Sequence, residues 1–151
     1  MIRKLTGLVC LFALFFSLLV QYPALAQTTE RPFSKEGGCT SPKTTSDGFG
    51  FLTKDCDGSF TWPEGDETPP GDYSINKGSV VVTTIDERGS GTGCSNPSFE
   101  EEPRTDAIPG IGPAVVPIAR TVKVSYDARG KKELGVRGRI ECKVAGAYNS
   151  Q

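Results

Sequence analysis

The stretch Thr121-Val122-Lys123-Val124-Ser125-Tyr126, followed by Val136-Arg137-Gly138-Arg139-Ile140-Glu141-Cys142-Lys143-Val144, decides the fold class. In the first run Val122, Val124 and Tyr126 alternate with Thr121, Lys123 and Ser125. In the second, Val136, Gly138, Ile140, Cys142 and Val144 alternate with Arg137, Arg139, Glu141 and Lys143. Successive strand side chains point to opposite faces, so strict alternation marks a strand with one dry face and one wet face. With Asp127 to Lys131 as the turn, the two runs read as an antiparallel hairpin that carries Cys142 inward. An isolated hairpin is marginal in water, and its apolar face needs a second layer. The expected fold is all-β: a small, disulfide-braced antiparallel sandwich or barrel-like domain with long Pro- and Gly-rich loops.

Composition agrees with this expectation. The 18 glycines and 11 prolines make up about a fifth of the 151 residues, above the ordinary level of about 12%. No stretch beyond residue 26 sustains apolar residues at i, i+3, i+4 and i+7, so long helices are not expected. Upstream, Val80 to Ile85 is a β-branched run that predicts a strand over about 79–85, and Glu87 to Gly91 reads as the turn that follows it. Phe49-Gly50-Phe51 and Phe60-Thr61-Trp62 read as a second hairpin with all four rings on one face. Residues 65–71, with Asp66, Glu67, Pro69 and Pro70, read as a loop. Residues 96–117 hold five prolines and read as a long connection or an edge segment, because proline donates nothing to a ladder.

The amino terminus reads as a leader. Arg3 and Lys4 precede the apolar run Leu8 to Val20, and Ala24-Leu25-Ala26 supplies the small residues a signal peptidase needs. That run falls short of the roughly 20 residues that span a bilayer. The expected organisation is a cleaved signal peptide over 1–26, a mobile tail over 27–38 and one β-rich domain over 39–148. The protein is then secreted or periplasmic, cut near Ala26-Gln27, with no transmembrane segment left behind.

Export changes the reading of the cysteines. Cys39, Cys56, Cys94 and Cys142 become two disulfides in an oxidising compartment, with three connectivities open. Cys39 with Cys56 and Cys94 with Cys142 is the favoured pairing. The first closes a short loop, and the second ties the middle of the chain to its last strand.

Absent residue types constrain the chemistry. A chain with no histidine cannot assemble a Ser-His-Asp or Cys-His site or a histidine-ligated zinc centre. Ser74-Ile75-Asn76-Lys77 has the S-x-x-K spacing of serine acyl-enzymes but lacks their helical setting, and Gly89, Gly91 and Gly93 precede no helix that would cradle phosphate. Asp55, Asp57 and Gly58 offer a weak calcium pattern. Asp55, Asp57, Glu64 and Asp66 are the acids a carboxylate-only enzyme would have to use. No cofactor is expected.

Residues 119–143 carry eight Lys and Arg against three acids in a chain whose formal net charge is −1. Lys123, Arg137, Arg139 and Lys143 therefore form a candidate face for an anionic surface, an anionic polysaccharide or an acidic protein; nucleic acid is not an expected partner. Phe49, Phe51, Phe60 and Trp62 form a candidate aromatic platform if exposed, and core otherwise. Ile108, Ile111, Val115, Val116 and Ile118 are apolar residues on the proline-rich segment, suited to docking or to capping the sandwich. The function expected is binding or structural association without catalysis. The alternatives are a carboxylate enzyme and an inhibitor or effector whose rigid loop is the Cys39–Cys56 segment.

Overall fold

A computed structural model describes residues 29–42, 55–131 and 135–150. Eight strands lie in two four-stranded antiparallel sheets. The strands are β1 (Thr29–Thr40), β2 (Cys56–Trp62), β3 (Tyr73–Ile75), β4 (Val81–Arg88), β5 (Ser90–Cys94), β6 (Ser98–Ile108), β7 (Gly112–Arg129) and β8 (Arg139–Ser150). Single 3₁₀ turns at Gly65–Glu67 and Lys77–Ser79 are the helical pieces among the described residues. In the first sheet β8 pairs with β1 along one edge and with β3 and β4 along the other. In the second, β7 pairs with β2 along one edge and with β5 and β6 along the other.

The long strands β7 and β8 carry most of the inward-facing set that the alternation predicted, but Val136, placed inward by the same pattern, lies before β8 and is exposed, and Tyr126 is only half-buried. Val122, Val124 and Ala128 from β7 and Ile140, Cys142 and Val144 from β8 are completely buried. Each large aliphatic side chain so buried contributes about 1.5–3 kcal/mol. The two strands are not a hairpin, however. They are the central strands of opposite sheets, and β7 runs through the expected turn to Arg129 before the chain crosses over, with Lys131 and Val136 forming one antiparallel bridge. Alternation identifies a dry face, and a face can be covered from above as well as from the side.

Both disulfides connect the sheets. Cys39 of β1 joins Cys56 of β2, and Cys94 of β5 joins Cys142 of β8, so the favoured pairing is the one formed. Between them lies an aromatic layer drawn from both sheets. Trp62 of β2 stacks on Phe33 of β1 with ring centroids 3.9 Å apart, and Tyr73 and Tyr148 of the first sheet close its other sides.

Three further expectations change. The stretch expected to trail as a mobile tail is, from Thr29 onward, strand β1, paired with β8 from Thr29↔Ser150 to Thr40↔Arg139. Its glycines pack closely: a Cβ at Gly37 would lie 2.2 Å from the Phe60 ring. The turn after β4 is not a hairpin turn but a corner at Gly89, whose φ of +121° lets the chain leave the first sheet and enter the second as β5. Most of the proline-rich segment is strand, the hairpin of β6 and β7, and its prolines occupy an edge as expected of residues without an N–H. Residues 1–28, where the signal peptide is expected, and Phe49 and Phe51 lie outside the described residues.

Candidate functional site

The β6–β7 hairpin extends beyond the rest of its sheet. Strand β2 reaches only the Trp62↔Val122 rung and β5 pairs no further than Tyr126, while β6 and β7 continue together to Ile108↔Gly112. Among the described residues the outer half of this hairpin is thus a two-stranded arm. Register divides its side chains into two faces. Glu102, Arg104, Asp106 and Ile108 share one face with Ile118, Val116, Ala114 and Gly112. Pro103, Thr105 and Ala107 share the other with Pro117, Val115 and Pro113.

The second face carries no charge, and all six of its residues are exposed, Val115 at 69%. Ile111, on the turn, is exposed at 77%. The charged face is the half-covered one. This inverts ordinary solvation, in which charge faces water and aliphatic groups are covered, and such a patch marks an interaction site. From Ala107 to Ala119 no side chain is charged or able to hydrogen-bond.

The root of the arm is clamped. Arg120 lies between Asp72 and Glu102, with its Nε 3.4 Å from Glu102 Oε2, and its guanidinium sits 5.1 Å from the Tyr73 ring centre. The Tyr73 hydroxyl donates back to the Arg120 carbonyl at 3.0 Å. Arg104 grips Asp106 through Nε and Nη2 at 2.7 and 2.9 Å and reaches Asp72 Oδ2 at 3.5 Å. The Arg120 guanidinium, helped by Arg104, holds the Asp72 carboxyl below the usual carboxylate range against the opposing effect of desolvation. Burial pushes the Tyr73 phenol up. Lys77 pairs with Glu101 and lies 5.8 Å from the Phe99 ring centre, so its ammonium is engaged by β6.

The basic residues do not gather. Lys123 stands exposed on the outside of the second sheet, whereas Arg139 and Lys143 lie on β8 in the first, and Arg137 is exposed on the approach to β8. Arg139 Nε lies 3.1 Å from Asp86 and its Nη2 pairs with Glu141; Lys143 lies 3.1 Å from Glu36. The Glu141 contact holds the Arg139 guanidinium above its ordinary pKa. Of these residues Glu36 and Glu141 line an open cleft of about 480 Å³, together with Gly37, Gly38, Cys39, Thr40 and Ile85. It is a shallow surface depression whose nearby charges are already matched.

Of the expected aromatic platform, Trp62 is 5% exposed and Phe60 is half-buried beside Tyr126, so both belong to the core. Asp55, Asp57, Glu64 and Asp66 are all exposed. Arg129 Nε lies 3.9 Å from Asp55 and 3.8 Å from Asp127. No group of three or more Cys, Asp or Glu is arranged to hold a metal among the described residues. Of the apolar residues on the proline-rich segment, Ile111 and Val115 are exposed, while Ile118 is buried at the root of the arm. The signal that separates them is position relative to Arg120 and Val122, where the second sheet's other strands end. The chain matches no family model, no curated protein and no solved structure.

Proposed function

We propose that the protein is an exported binding or structural-association module that works without catalysis, with the β6–β7 arm as its contact element. The observation that carries this reading is the arm itself. A sandwich stapled by two inter-sheet disulfides holds out an arm whose root is locked by Asp72, Arg104 and Arg120, and whose exposed face is uncharged. A rigid body presenting a pre-ordered apolar element loses little conformational freedom on binding, which favours association. Two inter-sheet disulfides suit an oxidising compartment, and no described helix is long and apolar enough to cross a membrane. The matched charges of Arg139 and Lys143 argue against an anionic partner as the first choice, since that partner would have to displace Asp86, Glu141 and Glu36.

Amino-terminal sequencing of the exported protein tests the first half of the reading, with Gln27 as the expected first residue. Retention on immobilised envelope components tests the second. Ile111→Ser with Val115→Ser should abolish retention, and replacing Asp55, Asp57, Glu64 and Asp66 by their amides should leave it intact. Retention that ignores the arm, or a hydrolytic activity lost with the four acids, refutes the reading.

A further inference from the structure

Within that reading, we propose that the tip of the β6–β7 arm seats in the interfacial layer of a zwitterionic lipid bilayer. The tip has shed most of the backbone donors that a low-polarity surrounding penalises. Pro109 and Pro113 have no N–H, Ile111 N–H donates to the Ile108 carbonyl at 3.0 Å, and Ile108 and Gly112 face each other on the last rung. Gly110 is left as a donor outside both the turn and the ladder, and so is Ala107, whose rung with Pro113 has the same non-donating parity as Pro103↔Pro117. An unmatched buried backbone group costs free energy in an apolar medium, so a tip built this way is suited to leaving water.

Side chains point the same way. Ile111 and Val115 are the most exposed large aliphatic residues among those described, at 77% and 69%. Residues 107–119 offer no polar side chain to any partner. A protein interface ordinarily carries about one hydrogen bond per 100–200 Å², which fixes its register. The tip can supply none from its side chains, which favours a surrounding that responds to bulk apolarity, as lipid does.

Charge selects the kind of lipid. The nearest cation, Arg104, is held in a two-point contact by Asp106, and no other Lys or Arg lies between residues 105 and 119. Nothing at the tip draws an anionic headgroup, whereas neutral headgroups impose no cost. Depth follows from the register. Asp106 stands three residues before Pro109, and at about 3.4 Å per residue its rung lies about 10 Å behind the turn. That matches the roughly 5–10 Å to which amphipathic surface elements sink. Deeper entry would bring the arm's open edges into hydrocarbon, which no unclosed sheet tolerates.

The test is partition of the oxidised, exported protein onto phosphatidylcholine vesicles, followed by flotation. Binding should be insensitive to salt and no stronger when anionic lipid is added. Ile111→Ser should weaken it about tenfold, the amount one aliphatic side chain contributes, without moving the unfolding midpoint, because that side chain touches solvent. In an Ile111→Trp variant the added indole should shift its emission to the blue on vesicles and be quenched by lipids brominated high on the acyl chain. Absence of partition, partition that requires anionic lipid, or unchanged partition of Ile111→Ser overturns the proposal. A lipid-free dimer broken by Ile111→Ser, without vesicle binding, also overturns it, assigning the arm to a second copy and leaving the association reading intact. If no property depends on Ile111, both readings fall.

Discussion

Removing the Cys94–Cys142 bridge should cost the protein more than removing Cys39–Cys56, and the structure sets the difference. A disulfide restricts the unfolded chain in proportion to the logarithm of the loop it closes. The bridge separations are 48 residues for Cys94–Cys142 and 17 for Cys39–Cys56, which correspond to about 4 and about 3 kcal/mol respectively. Position adds to the gap. Cys142 is fully buried between Ile140 and Val144, whereas Cys39 and Cys56 are half-buried at the edge of the sandwich. Deleting the Cys142 sulfur leaves a void in close-packed surroundings, worth about 1 kcal/mol more. Cys94→Ala with Cys142→Ala should therefore lose about 5 kcal/mol and Cys39→Ala with Cys56→Ala about 3. Urea unfolding followed by far-ultraviolet circular dichroism reads both. At a slope of about 2 kcal/mol per molar, the midpoints fall by about 2.5 M and about 1.5 M. A larger drop for the edge bridge, or a loss under about 2 kcal/mol for the central one, would refute the reasoning from loop length and burial.

Other outcomes follow from the same packing. Ile140→Ala, at a completely buried position of β8, should cost about 2–5 kcal/mol in thermal or urea unfolding; a cost near zero would mean that the sheets do not face each other there. Gly89→Ala places a Cβ 2.1 Å from the Arg129 carbonyl at a φ of +121°, and should lower the unfolding midpoint well beyond the effect of Gly110→Ala, whose neighbourhood is open. Asp72 has its carboxyl pKa lowered by Arg120 first and Arg104 second, with Glu102 and Asp106 sharing those guanidiniums. Its contribution is thus complete above the ordinary carboxylate value of about 3.9 and fades as pH falls through the depressed native value. Asp72→Asn should destabilise at neutral pH and flatten the acid side of the stability profile below about pH 4; a parallel shift of the whole profile would exclude the linkage.

Much of the fold is legible in the letters, and the failures have physical causes. Alternation in residues 121–126 and 136–144 places Val122, Val124, Ile140, Cys142 and Val144 inward, where they are found. What it cannot convey is the neighbour. A period of two tells which side chains are dry, and a strand stacked across the core satisfies it as well as a strand hydrogen-bonded alongside. Strand β1 escapes notice because it is an edge rich in charge and glycine, with Phe33 its one buried large residue. The trace it leaves is the even spacing of Phe33, Lys35, Gly37 and Cys39, which share the covered face. The arm is concealed by its prolines, which usually argue against strand but are accommodated at rungs such as Pro103↔Pro117, where neither backbone nitrogen has to donate. The basic face is a product of counting charges along the chain, when β7 and β8 deliver them to opposite sides of the molecule.

The interleaving of strands between the sheets bears on how the molecule is made. The middle strand of the first sheet, β8, comes last among the described strands, yet β1, β3 and β4 all rest against it. Synthesis from the amino end therefore delivers three strands of the first sheet before the one that organises them, whereas the second sheet has all its strands by Arg129. Such non-local order makes for slow folding, and the first sheet waits for the last of the described strands. The Cys94–Cys142 bridge, with one sulfur on that last strand, can close only at the end of this assembly.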